Sequence, residues 1–139
     1  MLFTKSFTIK TTHTASNPLI ETFSLSHGII TFVSVFMPPG CHGLVYCQLK
    51  HWAKAIFPSV EDMFLMTDSH PLEWNEYYEM YQEPYELQFI GWSYLATYDH
   101  VVTVRIAVLP RKAVLALAIV DAIKGILGAL SPKRIFTGG

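Results

Sequence analysis

Histidine and cysteine are the residues of this 139-residue chain best suited to bind metals or catalyse reactions. Four of the six histidines, His42, His51, His70 and His100, fall at expected loop or strand ends, but their spacing matches no metal-binding pattern. Cys41 precedes His42, the residue types of a thiol nucleophile and its base. Side chains of adjacent residues in an extended corner point apart, and the sequence offers no third, orienting group. We therefore predict no metal, no cofactor and no enzymatic activity.

The two cysteines, Cys41 and Cys47, are expected in a loop and in the strand that follows it. A disulfide between them would need a particular backbone geometry, whereas buried free thiols are the commoner outcome. The sequence also lacks a phosphate-binding loop, a nucleophile elbow and a dinucleotide fingerprint. We predict two free, buried thiols.

Composition narrows the class of protein further. A net charge of −1 and a charged fraction of 15% leave no basic surface for phosphates, so we predict no nucleic-acid binding. Hydrophobic residues make up 51% of the chain and aromatic residues 14%, which is rich for a monomer of this size and indicates self-association. Residues 1–10 alternate as a strand does and lack the apolar core of a signal peptide, which predicts a non-secreted protein.

The segments 27–36 and 43–49 are rich in β-branched and aromatic residues and predict two neighbouring central strands. Prolines and glycines between them predict a stiff corner that fixes their register. The residues of this structural corner are Pro38, Pro39, Gly40 and Gly43. Strict alternation along the first strand places Ile30, Phe32, Ser34 and Phe36 on one face and Ile29, Thr31, Val33 and Val35 on the other.

Other strands are predicted at residues 3–10, 19–26, 72–82, 85–92 and 98–109. The segment 51–57 fits either a strand end or one helical turn before Pro58. Seven or eight short strands without helical crossovers indicate a mainly β protein, an antiparallel β-sandwich or jelly roll. Residues 1–110 form this sandwich, and residues 111–139 are expected to be an apolar C-terminal α-helix and tail.

The stretch from Trp74 to Tyr81 combines aromatic and acidic residues and has two interpretations. It has the composition of a half-buried strand with a solvated face, which we favour, and also of a binding surface for a protein or a glycan. If it is a surface, a protein subunit is the expected partner. The candidate interface residues are Trp74, Tyr77, Tyr78 and Tyr81.

Residues 113–130 have the composition of a helix that is apolar on nearly all sides. The strands already supply enough large apolar residues to fill a sandwich, so we predict that the helix mediates assembly. Its candidate interface residues are Leu117, Val120, Asp121, Lys124 and Leu127, with Asp121 of one chain approaching Lys124 of another. A membrane-spanning helix is the alternative, and the two central charges make it costly.

Several turn and strand signals together resemble those of small β-sandwich virion proteins encoded by tailed phages and archaeal viruses. They are Gly28-Ile-Ile-Thr31, Pro38-Pro39-Gly40, Gly43-Leu-Val45, Pro58, Glu83-Pro-Tyr-Glu-Leu87, Gly91-Trp92 and Tyr98-Asp-His100, and they cover residues 15 to 110. The C-terminal helix is not part of this pattern. The resemblance implies a capsid decoration or fibre-attachment subunit, made in the host cytoplasm, located in the virion and bound to itself and to a capsid protein. A receptor- or glycan-binding module of a fibre is the alternative.

Overall fold

The computed structural model describes residues 1–129, which form eight β-strands and one helix. The strands are β1 (Leu2–Ile9), β2 (Leu19–Ser24), β3 (Gly28–Phe36), β4 (Val45–His51), β5 (Lys54–Phe57), β6 (Leu72–Met80), β7 (Glu86–Ser93) and β8 (His100–Leu109), and the helix is α1 (Arg111–Ala129). The predicted helix end at Leu130 and the predicted tail, residues 131–139, lie outside the described residues.

All strand pairs are antiparallel, and they form two four-stranded sheets with the orders β1-β8-β3-β6 and β2-β7-β4-β5. Successive strands thus pass repeatedly from one sheet to the other, as in an eight-stranded jelly roll. The predicted fold class, a mainly β antiparallel sandwich with one C-terminal helix, is confirmed.

The core lies between the two sheets and is supplied by the alternating apolar residues of the strands. In β8, Val102, Val104, Ile106 and Val108 are buried, because a period of two turns every second side chain to the same face. The Phe7 ring of β1 stacks on the Phe89 ring of β7 with centroids 3.9 Å apart, which joins the two sheets. No residue of α1 belongs to this core among the described residues.

The predicted pairing of the strands on either side of the corner is wrong. β3 lies between β8 and β6 in one sheet, whereas β4 lies between β7 and β5 in the other. Both strands are central, as expected, but the corner carries the chain across the sandwich and sets no register between them. A short loop favours a hairpin only when its two strands share a sheet, and sequence adjacency does not reveal the sheet.

The strict alternation predicted for β3 is also wrong. The register of β3 with both of its neighbours shifts between Ile30 and Phe32. Against β6 the extra residue lies on β6, whereas against β8 it lies on β3, which marks a β-bulge at Thr31. The extra residue places Ile30, Val33 and Val35 together in the core, although strict alternation put Ile30 on the opposite face. Ser34 is buried on the outer face, where its hydroxyl donates to Glu73 Oε1 at 3.3 Å.

The jelly roll has two distinct ends. At one end, Ile9 pairs with His100, and the loop after β3 lies against the loop before β8. At the other end, Leu2 pairs with Ala107, and β8 leads through Pro110 into α1. The helix and the corner therefore lie at opposite ends of the molecule.

Candidate functional site

Helix α1 presents an apolar surface that the sandwich leaves uncovered. Every described side chain from Leu115 to Leu127 is exposed. The large apolar side chains among them have exposed fractions from 44% to 64%: Leu115, Leu117, Ile119, Val120, Ile123, Ile126 and Leu127. A contiguous apolar surface of this kind on a protein in water normally marks a site of interaction.

Only the first turn of α1 is attached to the sandwich. Ala113 and Val114 are half-buried, and their amides donate to the Pro110 carbonyl at 3.0 and 3.2 Å. The Arg111 guanidinium lies over the Tyr81 ring, 5.8 Å from its centroid. These contacts fix where the helix starts, and no residue from Leu115 to Leu127 belongs to the core.

The predicted interface residues of the helix lie on one side of it. With 3.6 residues per turn, Leu117, Val120 and Leu127 surround the charged pair Asp121 and Lys124, and all of them are exposed. The side opposite the charged pair carries a row of isoleucines, Ile119, Ile123 and Ile126, and Leu127 borders this row because it follows Ile123 by four residues. The apolar surface is therefore continuous, with charges on one side of it and isoleucines on the other.

The aromatic residues of β6 are divided between the inside and the outside of the sandwich. Trp74 and Tyr78 are half-buried and pack edge-to-face against Phe57 of β5, with centroids 5.8 and 6.2 Å away. Tyr77 points outward and is 58% exposed. Tyr81 follows the strand and stacks on His27 at 5.3 Å. The first two thus close the sandwich between the edge strands β5 and β6, which matches the half-buried strand that we favoured.

His51 and Tyr78 join the two sheets on the same side of the sandwich. The His51 Nδ1 atom and the Tyr78 hydroxyl are 2.6 Å apart. Burial lowers the pKa of His51 below 6.5, and the Pro84 carbonyl partly opposes this effect. The His51 ring therefore stays neutral to a lower pH than the ring of an exposed histidine does.

The corner forms one wall of a cleft of about 660 Å³ at the end of the jelly roll away from the helix. Pro38, Pro39 and Gly40 line one wall, and the loop before His100 forms the other. Gly40 has a φ of 97° and Gly43 a φ of 70°, so the corner uses the conformations that glycine adopts most readily.

The surroundings of Cys41 and His42 show whether these residues could act as a thiol nucleophile and its base. The His42 Nδ1 atom lies 3.9 Å from Asp68 Oδ2, which is too long for a hydrogen bond that would orient the ring. Burial, together with the negative charge of Asp68, raises the pKa of the Cys41 thiol, which opposes formation of a nucleophilic thiolate. Burial raises the pKa of Cys47 to about 12. The predicted free, buried thiols are confirmed.

Within residues 1–129, no group of three or more His, Cys, Asp or Glu side chains is arranged to hold a metal ion. No helix in this part of the chain is both long and apolar enough to cross a bilayer. No family model matches the chain, and comparisons with curated proteins and with solved structures found no significant match.

One surface feature was missed by the sequence analysis. The ambiguous segment 51–57 is a hairpin, in which Trp52 and Ala53 connect β4 to β5. Their φ values are 55° and 61°, which two-residue turns normally achieve with Asn or Gly. No Gly, Asn or Pro indicates a turn at this point, and the sequence pattern predicted no role for Trp52, which is 63% exposed.

Proposed function

We propose that this chain is a non-enzymatic structural subunit that forms a homo-oligomer through helix α1. The observation that carries the proposal is the apolar helix whose exposed side chains, from Leu115 to Leu127, lie outside the core of the jelly roll. Water-exposed apolar area costs roughly 25 cal/mol per Å², so burial of one apolar side of this helix against other copies is a strong driving force for association.

A helix bundle about a rotation axis is the arrangement that the residue spacing supports. Ile119, Ile123 and Ile126 are separated by four and three residues, the spacing of a coiled-coil seam. Isoleucine at both core positions favours three or four strands over two. A second copy of the chain supplies the same seam, so a symmetric bundle needs no other partner.

This arrangement revises the side of the helix that faces the neighbouring chains. A seam of isoleucines turns Asp121 and Lys124 toward water, where they need no partner. The interface first predicted from the sequence, Leu117, Val120 and Leu127 with that charge pair, would instead bury both charges. We favour the isoleucine side because it avoids this desolvation cost.

A virion is the particular assembly that we propose. Its support is the resemblance of residues 15 to 110 to phage and archaeal-virus β-sandwich proteins, together with the jelly-roll strand order, which is common in capsid proteins. Fold similarity of this kind is an analogy, because one fold serves many functions. A capsid decoration or other surface subunit, bound to itself and to a capsid protein, fits both observations.

Two matched double variants test the bundle by light scattering coupled to size exclusion. We expect Ile119→Glu with Ile126→Glu to convert a trimer or tetramer into a monomer, because the seam then carries buried carboxylates. Leu117→Glu with Lys124→Glu changes the charged side, away from the isoleucines, and should leave the oligomer intact. The opposite outcome would favour the charged side as the interface, and an unchanged mass for both variants would contradict assembly through the helix.

Ile20→Glu is the control for exposed apolar residues in general. Ile20 lies on β2 and is 58% exposed, which is close to the exposure of the helix residues. We expect this variant to keep the oligomeric mass of the original protein.

The proposed virion location has a separate test. Affinity-purified particles from cells that carry the gene and its genomic neighbours should contain the chain in a fixed ratio to the capsid protein. Its absence from such particles would contradict the virion location but leave the helix-mediated assembly standing.

A further inference from the structure

The hairpin between β4 and β5 holds an exposed tryptophan in a costly conformation. Trp52 and Ala53 both have positive φ, a region in which side chains other than Gly, Asn and Asp are strained. A tryptophan that is 63% exposed in such a turn contributes little to the core. Strain of this kind is characteristic of positions held for binding rather than for stability.

Trp52 separates two adjoining hollows at the side of the sandwich. The larger, of about 320 Å³, is lined by His51, Trp52, Tyr78, Glu79, Tyr81 and Gln82. The smaller, of about 140 Å³, lies on the other side of Trp52 and includes Glu86 and Gln88. Each hollow thus offers one carboxylate and one amide beside the same indole ring, and the smaller hollow also contains Lys50, whose ammonium group pairs with Glu61 at 3.3 Å.

Two polar side chains form the inner wall of the larger hollow. The His51 ring is 8% exposed, its Nδ1 atom lies 2.6 Å from the Tyr78 hydroxyl, and the Pro84 carbonyl lies close enough to favour its protonated form. The Tyr81 hydroxyl is buried beside Tyr77. A ligand in the hollow therefore contacts the exposed groups of Trp52, Glu79 and Gln82.

The surroundings limit the chemistry of that ligand. A cation would need an aromatic cage, but His27 already stacks on the Tyr81 ring and the Arg111 guanidinium lies over it, so this ring cannot serve as a second wall beside Trp52. An anion would meet Glu79 in the larger hollow and Glu86 in the smaller one, where the Lys50 ammonium group is already paired with Glu61. A neutral ligand with one apolar face and hydroxyl groups around its edge fits both restrictions.

We propose that Trp52 and the two hollows beside it form a binding site for a neutral saccharide. The C–H face of one sugar ring stacks on the indole, because the negative face of the aromatic ring attracts C–H groups. The hydroxyls of that ring exchange hydrogen bonds with Glu79 and Gln82, and those of a second ring with Glu86 and Gln88. This site is independent of the proposed assembly through α1.

Saturation-transfer difference NMR on the full-length protein tests the site, because the method reports on the sugar and tolerates a large oligomer. The probes are the methyl glycosides of glucose, galactose and N-acetylglucosamine and the disaccharides cellobiose and lactose. We expect saturable binding of at least one probe family, with the disaccharide binding more tightly because it reaches both hollows. Glucuronate should bind more weakly than glucose because of the two glutamates.

Trp52→Ala is the central variant, since it removes the ring and keeps the strained backbone. We expect it to weaken binding by roughly tenfold or more, as loss of a central aromatic anchor does. Gln82→Ala is a second variant at an exposed position, and we expect a smaller loss. Tyr98→Ala is the matched control, because Tyr98 is 74% exposed and lines the cleft at the other end of the jelly roll.

Three results would overturn the proposal. One is the absence of saturable binding for every probe. Another is equal affinity in the Trp52→Ala variant, or a loss caused by Tyr98→Ala instead. The last is a result in which neither the original protein nor the Trp52→Ala variant binds a sugar but the variant has a different oligomeric mass, which would make Trp52 a contact between protein chains.

Discussion

Replacement of Gly43 measures how much of the corner depends on its backbone conformation. Gly43 has a φ of 70°, and a Cβ atom built there would meet no atom within 4 Å. Gly43→Ala therefore adds no clash, and its cost is that of placing an L-residue in the left-handed region, about 1 kcal/mol. For a domain of this size we expect the melting temperature to fall by about 4 °C.

Alanine at Gly40 and valine at either glycine test the same argument from backbone conformation. Gly40 has a φ of 97°, which lies farther from the left-handed minimum near 57°, so the same substitution should cost more there. Valine at either position should cost roughly 1 kcal/mol or more, because its branched Cβ is least tolerant of positive φ.

Urea unfolding followed by tryptophan fluorescence gives the free energy of unfolding for each variant. Gly125→Ala is the control, since Gly125 lies on α1 and an added Cβ there meets nothing within 4 Å. We expect this control to leave the unfolding of the jelly roll unchanged. Unchanged unfolding of both Gly40→Val and Gly43→Val would refute the argument from positive φ.

Three further predictions concern buried groups and the strained hairpin. Because burial lowers the pKa of His51 below 6.5, the neutral side chain stabilises the fold above that pH, and this contribution is lost as the pH falls from 6.5 toward the native pKa. Urea midpoints at a series of pH values should show this loss, and His51→Gln should reduce it. Cys41 and Cys47 should resist alkylation by iodoacetamide in the native protein and both react after unfolding, as mass spectrometry can show. Ala53→Gly should raise the free energy of unfolding by about 0.5–1 kcal/mol, because it relieves a φ of 61°, and an unchanged or lower value would show that the turn is not strained.

The strands were predictable because burial of one face produces an alternation of apolar residues in the sequence. In β8, alternation alone identified Val102, Val104, Ile106 and Val108 as core residues. The apolar composition of residues 113–130 likewise predicted a helix, and the strands alone do fill the core. Both predictions depend on local periodicity, which a single sequence contains.

The errors arose where the structure depends on more distant contacts. The bulge at Thr31 adds one residue to β3 relative to β8 without a Gly or Pro that would indicate it, and it reverses the faces of the residues that follow. The corner joins strands of different sheets, and only the complete strand order shows this. The larger hollow beside Trp52 is lined by residues of β4, of β6 and of the turn after β6, which are remote in sequence, so no local pattern could identify it.

Sedimentation of the full-length protein and of residues 1–110 tests the central claim most directly. The chain ends in this variant just before α1, which supplies no residue to the core in the described part of the protein. We predict that the full-length protein sediments as a trimer or tetramer without detergent and that residues 1–110 form a folded monomer. A monomeric full-length protein, or a truncated protein that unfolds or stays oligomeric, would contradict assembly through the helix.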